Sequence, residues 1–160
     1  MNDAVSKAVN RFREQARTLG FDPQVTEFPQ GTRTAADAAR AIGCQVGQIV
    51  KSLVFVAGSE PFIALTSGPN RADTARLSAL MDARPVRRAN PEEARAATGF
   101  AIGGTPPFGH PRRLEVFCDR DLLRYDIVWA AAGTPRSVFP ITPDELVRIS
   151  GAEPADFREG

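Results

Sequence analysis

One histidine, His110, and two cysteines, Cys44 and Cys118, are all this chain offers toward a Cys/His metal centre. The two thiols lie far apart with no histidine beside either, whereas zinc sites of that kind need a clustered ligand set at short spacings. Two isolated thiols also give no disulfide framework and suit a reducing compartment. Long apolar runs are missing as well: no stretch approaches the roughly 18 residues of a membrane-spanning helix. The opening MNDAVSKAVNRF has no hydrophobic signal core. The expectation is a cytoplasmic chain with no membrane partner. An excess of either charge is absent too, with 20 basic against 19 acidic residues and a net charge of +1. Proteins that grip long duplexes by phosphate contacts alone are more basic. Lysine is scarce: Lys7 and Lys51 stand among arginines, and the clusters Arg84, Arg87, Arg88 and Arg112, Arg113 could touch a phosphate backbone, although such clusters are usually solvated surface.

What is present describes a folded chain. Hydrophobic residues make up 42% and charged ones 24%, so global disorder is a poor reading. The 160 residues fit one domain, 1–160, large enough to bury a core without staples. Val5, Val9, Phe12, Ala16 and Leu19 recur at helical spacing before Gly20. A short strand over Gln24 to Phe28 follows. Thr34-Ala-Ala-Asp37 opens a helix that Gly43 closes. IVKSLVFVA, Ile49 to Ala57, reads as a strand turning at Gly58-Ser59-Glu60 into a second, Pro61 to Thr66. Asn70 to Met81 reads as a helix, Val86 as a brief strand. Asn90-Pro91-Glu92-Glu93 is a helix start, ended by Gly99. Strands at Leu114 to Cys118, Ile127 to Ala131 and Val138 to Ile141 precede a helix from Thr142 to Gly151. The tail AEPADFREG reads as loose. Hairpins among these strands favour an α/β fold with a curved mixed sheet surrounded by helices over a doubly wound parallel one.

Two features carry chemistry. Lys51 lies in a strand with Ile49, Leu53 and Phe55 on its own face and Val50, Val54 and Val56 on the other. A lysine there either snorkels to water or meets an anionic partner, because an isolated buried ammonium is costly. The second feature is the loop Gly103-Gly104-Thr105-Pro106-Pro107-Phe108-Gly109. Its glycines permit close backbone approach, its prolines hold shape, and its N–H groups could serve a phosphate, carboxylate or oxyanion. It matches neither a Walker nor a Rossmann fingerprint. A tight structural loop is the other reading. His110 follows it without an acidic or nucleophilic partner in view. Ser52 and Ser67 lack a nucleophile-elbow context, and Asp119, Asp121 and Asp126 read as turn and cap residues.

Taken in order, I-V-K-S-L-V-F and, about fifty residues later, T-G-F-A-I-G-G-T-P-P-F-G resemble the YbaK/ProX family. That family comprises the editing domain of bacterial prolyl-tRNA synthetases and its free-standing relatives. The resemblance runs from about Val25 to Ile149, and Gly133 in the A-A-G-T turn matches a third glycine-containing loop. It implies a compact, partly barrel-like mixed sheet. It also implies hydrolysis of the ester joining a wrong amino acid to tRNA, without metal or cofactor. Lys51 would be the catalytic residue, with Gly103, Gly104, Thr105, Pro106, Pro107 and Gly133 holding the aminoacyl-adenosine end. The substrate's ribose hydroxyl would help activate water or carbonyl. With no synthetase catalytic domain the chain would edit in trans, with mischarged aminoacyl-tRNA as partner and a synthetase as a further one. The cysteine-removing branch has Ser-Gly-Gly at Ala131-Ala132-Gly133 and Ile-Ser-Pro at Thr105-Pro106-Pro107, so cysteine specificity is not implied. Small amino acids and a tRNA(Pro)-type substrate remain. A non-catalytic binding module and a small aminoacyl-ester hydrolase are the alternative readings.

Overall fold

The computed structural model describes residues 3–28 and 34–160, with side chains described from Lys7 onward. The chain begins with α1 (Asp3–Thr18), β1 (Thr26–Glu27) and α2 (Ala35–Ile42). A hairpin of β2 (Ile49–Ala57) and β3 (Glu60–Ser67) follows, then α3 (Thr74–Leu80), β4 (Val86–Arg88) and α4 (Pro91–Thr98). After a long loop come β5 (Glu115–Asp119), β6 (Val128–Ala131), β7 (Ser137–Ile141), α5 (Pro143–Ser150) and β8 (Glu153–Ala155). Among the described residues the strands form one sheet in the order β1-β7-β6-β2-β3-β5-β8, with β4 also paired to β2. Pairing is mixed: β2–β6, β3–β5 and β5–β8 run parallel, the others antiparallel. The sheet is not closed, since β1 and β8 end it. This is the mixed sheet with packed helices that the hairpin pattern predicts.

Local chemistry sets the helix ends. Thr34 accepts from the Asp37 amide at 3.0 Å to open α2, and Gly43 closes it in the left-handed region. Asn90 and Glu93 form a reciprocal capping box on α4, and Thr142 caps α5. The sheet divides the core. On one face Val50, Val54 and Val56 pack with Phe12 of α1, Ala94 and Ala97 of α4 and Leu146 of α5. On the other, Phe55, Phe62 and Phe117 pack with Leu77 of α3 and Phe157. Period-two alternation along β2 produces this split.

Four expectations need correction or limits. Leu19 is 45% exposed, because α1 ends at Thr18 and the chain reverses at Gly20. Phe21 packs on the core in its place. Val5's side chain lies outside the described residues. The first strand shrinks to Thr26–Glu27, with Phe28 bonded to the Arg136 carbonyl beyond it. The helix expected over Asn70 to Met81 starts only at Thr74, because Asp73 is its N-cap and Asn70 is drawn into a carboxylate network. The tail is not loose: β8 pairs in parallel with β5, Phe157 is 1% exposed, and Arg158 bridges Ala72. No helix of the described residues is long and apolar enough to cross a membrane.

Candidate functional site

The site begins with a break in strand pairing. β3 follows one edge of β2 throughout Val50–Ala57. The other edge changes partner: β6 pairs at Ile49 and Val50, β4 at Phe55 to Ala57. Between them residues 51–53 have no strand partner on that edge among the described residues, and Val54 receives only the Ala89 amide, at 3.0 Å. The sheet splits there, and a cavity of about 250 Å³ opens, on the scale of a small-molecule site. Because an edge is open, side chains from both faces of β2 border it, Lys51 and Leu53 as well as Val50, Ser52 and Val54.

Lys51 is half-buried and donates from Nζ to the Asn70 carbonyl oxygen at 2.6 Å. That carbonyl is fixed by its own side chain. Asn70 Nδ2 donates to Oδ2 of Asp119 and of Asp121, both at 2.8 Å. Asp119 is 3% exposed and also accepts from the Ser67 amide and the Asp121 amide, each at 3.0 Å. Arg158 steadies Asp121 at 2.8 Å. Burial makes the Lys51 ammonium easier to deprotonate than an ordinary lysine; Arg88, and less so Arg71, push the same way, and the Asp119 carboxylate opposes them. Of the two fates open to Lys51, the structure gives an inward one, against a carbonyl backed by a buried carboxylate. Asp119 does cap the turn after β5, as expected, but its larger role was hidden.

The glycine-rich loop is braced at both ends. The Gly104 amide and Thr105 Oγ1 both donate to the Ala101 carbonyl, each at 3.1 Å. His110 Nε2 donates to the Pro106 carbonyl at 2.8 Å, which fixes the N–H on that nitrogen in the neutral ring. Burial lowers the His110 pKa, so the neutral form is favoured. Phe108 anchors the loop among Phe12, Phe21 and Phe139, with ring centroids 5.6–5.9 Å away. Gly104 is required by contact: a Cβ there would lie 2.6 Å from Thr134 Cα and 2.9 Å from the Gly133 carbonyl oxygen. Gly133, at φ 116°, would place a Cβ 2.8 Å from the Ala8 carbonyl oxygen of α1. These two glycines let the loops and α1 touch.

Of the residues singled out from the sequence, Lys51, Gly103 and Thr105 border this same cavity. Gly104, Pro106, Pro107 and Gly133 are buried behind it as its support. The Gly103 and Thr105 amides make no hydrogen bond within the described residues. Sequence reasoning missed Ser52 as a lining residue, and its buried Oγ has no hydrogen-bond partner among the described residues. It missed Trp129 too, and named Arg88 only within an arginine cluster, without its place at the cavity. Strand registers opposite Phe55 and Ile49 place these two at the split, and only long-range pairing reveals that. Among the described residues no aspartate or glutamate borders the cavity, whereas Lys51 and Arg88 both do. Among the described residues no group of His, Cys, Asp or Glu could hold a metal ion. Cys118 is buried, and its thiol is pushed up to about 12 by burial and by Asp119.

The split mixed sheet thus carries a cavity bordered by two cations and, among the described residues, by no carboxylate. The chain belongs to the aminoacyl-tRNA editing domain family, whose model matches residues 29–149. It is 33% identical over 127 residues to YwhH, an uncharacterised protein of Bacillus subtilis, covering 79% of this chain and 80% of that protein. It is 28% identical to a proline–tRNA ligase of Streptococcus pyogenes over 95% of its own length but only 24% of the ligase. A solved protein described as a proposed trans-editing enzyme for prolyl-tRNA synthetase shares 49% identity and a TM-score of 0.91, over 96% of this chain and 98% of that one. Family and fold together indicate aminoacyl-tRNA editing.

Proposed function

We propose that this protein hydrolyses the ester of mischarged aminoacyl-tRNA, acting in trans on a tRNA(Pro)-type substrate that carries a small amino acid. The observation that supports it best is the meeting of Lys51 with Gly103 and Thr105 at one cavity. The ammonium has three donors and spends one on the Asn70 carbonyl, so two are left for the substrate's carbonyl or ribose oxygens. The uncommitted Gly103 and Thr105 amides are suited to the oxyanion that forms as water adds to the carbonyl carbon. The bond from that carbon to the ribose oxygen then breaks, the ribose oxygen takes a proton, and a free amino acid leaves. The substrate's neighbouring ribose hydroxyl orients the water, so no protein nucleophile is needed. The solved relative described as a proposed trans-editing enzyme and the prolyl-tRNA ligases support the tRNA(Pro) assignment.

The test is Lys51→Ala against a panel of mischarged tRNAs. Loss of one such electrostatic contributor lowers the rate by about 10²–10³. A folded Lys51→Ala protein with wild-type turnover rejects the catalytic role. Binding of charged tRNA without turnover by the wild type selects the binding-module reading instead. Equal turnover of a minimal aminoacyl ester and intact tRNA selects the small-ester hydrolase.

A further inference from the structure

We propose that Arg88 is the phosphate-binding residue of this site, holding the phosphodiester on the 5′ side of the substrate's terminal adenosine. The inference rests on the reading of the cavity as an aminoacyl-adenosine site and adds the part of the ligand that reading leaves unheld.

Two adjacent arginines of β4 are used differently. Arg87 is spent on structure: its guanidinium makes a paired contact with Glu93 at 2.8 and 2.7 Å, and Glu93 also completes the cap of α4. Strand alternation turns Arg88 the other way, over the ring of Phe55, its register partner, with the guanidinium carbon 5.5 Å from the ring centroid. No carboxylate among the described residues pairs with it. Stacking on an aromatic face holds the planar group while leaving its N–H edge free for a two-pronged contact.

The electrostatics point to an anion. Lys51 and Arg88 border one cavity that has, among the described residues, no acidic one in its wall. Asp119 lies near Lys51, but three N–H groups already engage its carboxylate. Two like charges therefore border one cavity, and a bound anion relieves their repulsion. In an ester-linked amino acid the carboxylate is consumed, so the anion of an aminoacyl-nucleotide end is a phosphodiester. The burial gradient gives the order. Lys51 is half-buried and meets the ester, while Arg88 is exposed at the mouth and meets the phosphate one sugar away.

Binding of adenosine and of adenosine 5′-monophosphate to the purified protein, followed by NMR titration at low salt, tests this without any turnover. The wild type is expected to bind the monophosphate about 10–100-fold more tightly than adenosine, as a charge-assisted guanidinium contact provides. Arg88→Ala should abolish that ratio while leaving adenosine binding unchanged, and Arg88→Lys should restore part of it. On charged tRNA, Arg88→Ala should raise KM with kcat little changed. It should also flatten the salt dependence by about 0.7 in the log–log slope. Equal binding of adenosine and its monophosphate by the wild type, or an unchanged ratio in Arg88→Ala, overturns the proposal, as does undetectable monophosphate binding. An Arg88-dependent preference in a protein that cleaves no charged tRNA leaves this inference standing and removes the hydrolytic reading. Cleavage with unaltered Arg88→Ala kinetics does the reverse.

Discussion

Truncating Asp119 should damage both the fold and the chemistry, and the two effects are separable. The carboxylate is 3% exposed and accepts three N–H groups, from Ser67, Asn70 and Asp121, at 2.8–3.0 Å. In Asp119→Ala the Ser67 amide, itself buried, loses its acceptor, at a cost of about 1–3 kcal/mol. Asn70 keeps Asp121, so its loss is partial, and the Asp121 amide lies closer to water. Two weakened charge-assisted contacts add about 1–2 kcal/mol, and relief of the buried charge's own desolvation offsets some of this. The net expectation is about 3 kcal/mol, a large share of a typical 5–15 kcal/mol stability. For a chain of this size that lowers Tm by about 6–12 °C, read by circular dichroism. The second effect is on Lys51. Asp119 favours its ammonium form, so removing the carboxylate lowers the Lys51 pKa further. If the ammonium is the active form, activity disappears as pH rises through that pKa. The alkaline limb of kcat/KM should then move to lower pH in Asp119→Ala, and also in Asp119→Asn, which keeps one acceptor oxygen and most of the shape. A Tm loss equivalent to less than about 1 kcal/mol, together with an unmoved alkaline limb, would refute the network's role.

Two further outcomes follow from the loop. Gly104→Ala forces a Cβ to 2.6 Å from the Thr134 backbone, which cannot yield as a side-chain tip could; about 2–3 kcal/mol of stability and most activity should be lost, read by the urea midpoint and turnover. His110 has its folded pKa lowered from an ordinary value of about 6.5, so its contribution is full above that value and is lost as pH falls toward the folded one. The Tm of the wild type should therefore drop relative to His110→Gln as pH falls below about 6.5, with no divergence above pH 7; parallel curves from pH 7 to 5 would show that His110 does not titrate on unfolding.

How much was legible depended on how far each signal reaches along the chain. Capping is local, so Thr34, Asn90 and Thr142 marked helix starts that the structure keeps. The two faces of β2 were readable because alternation needs only neighbours. The helix was begun at Asn70 rather than Thr74 because the two carboxylate partners that draw Asn70 away, 49 and 51 residues along the chain, leave no local trace. The tail failed for the same reason. Its pairing with β5 is parallel and long-range, and nothing local in AEPADFREG announces that Phe157 will be buried. In the site, Lys51 and the loop were visible as residue types out of place. Asp119 read as a turn or cap residue, Asn70 as the start of a helix, and Arg88 as one member of an arginine cluster, more often solvated surface than a phosphate contact.

The partner change along β2 explains why a lysine belongs in this strand at all. A central strand paired on both edges presents only alternate side chains to each face and shows no backbone to a ligand. Once β6 gives way to β4, consecutive residues of one strand can border the same space. Lys51 then reaches it from the face of Leu53 and Phe55, while Val50 and Val54 line it from the face packed against α1 and α4. Charge and an apolar wall are thereby brought within one residue of each other without burying an unpartnered ammonium, because Asn70 and Asp119 hold it from behind. On the proposed reading, in which the cavity discriminates small amino acids, that closeness matters. A methylene more or less against a wall of this kind is worth only about 1–3 kcal/mol, so the wall has to lie against the very bond the cation acts on.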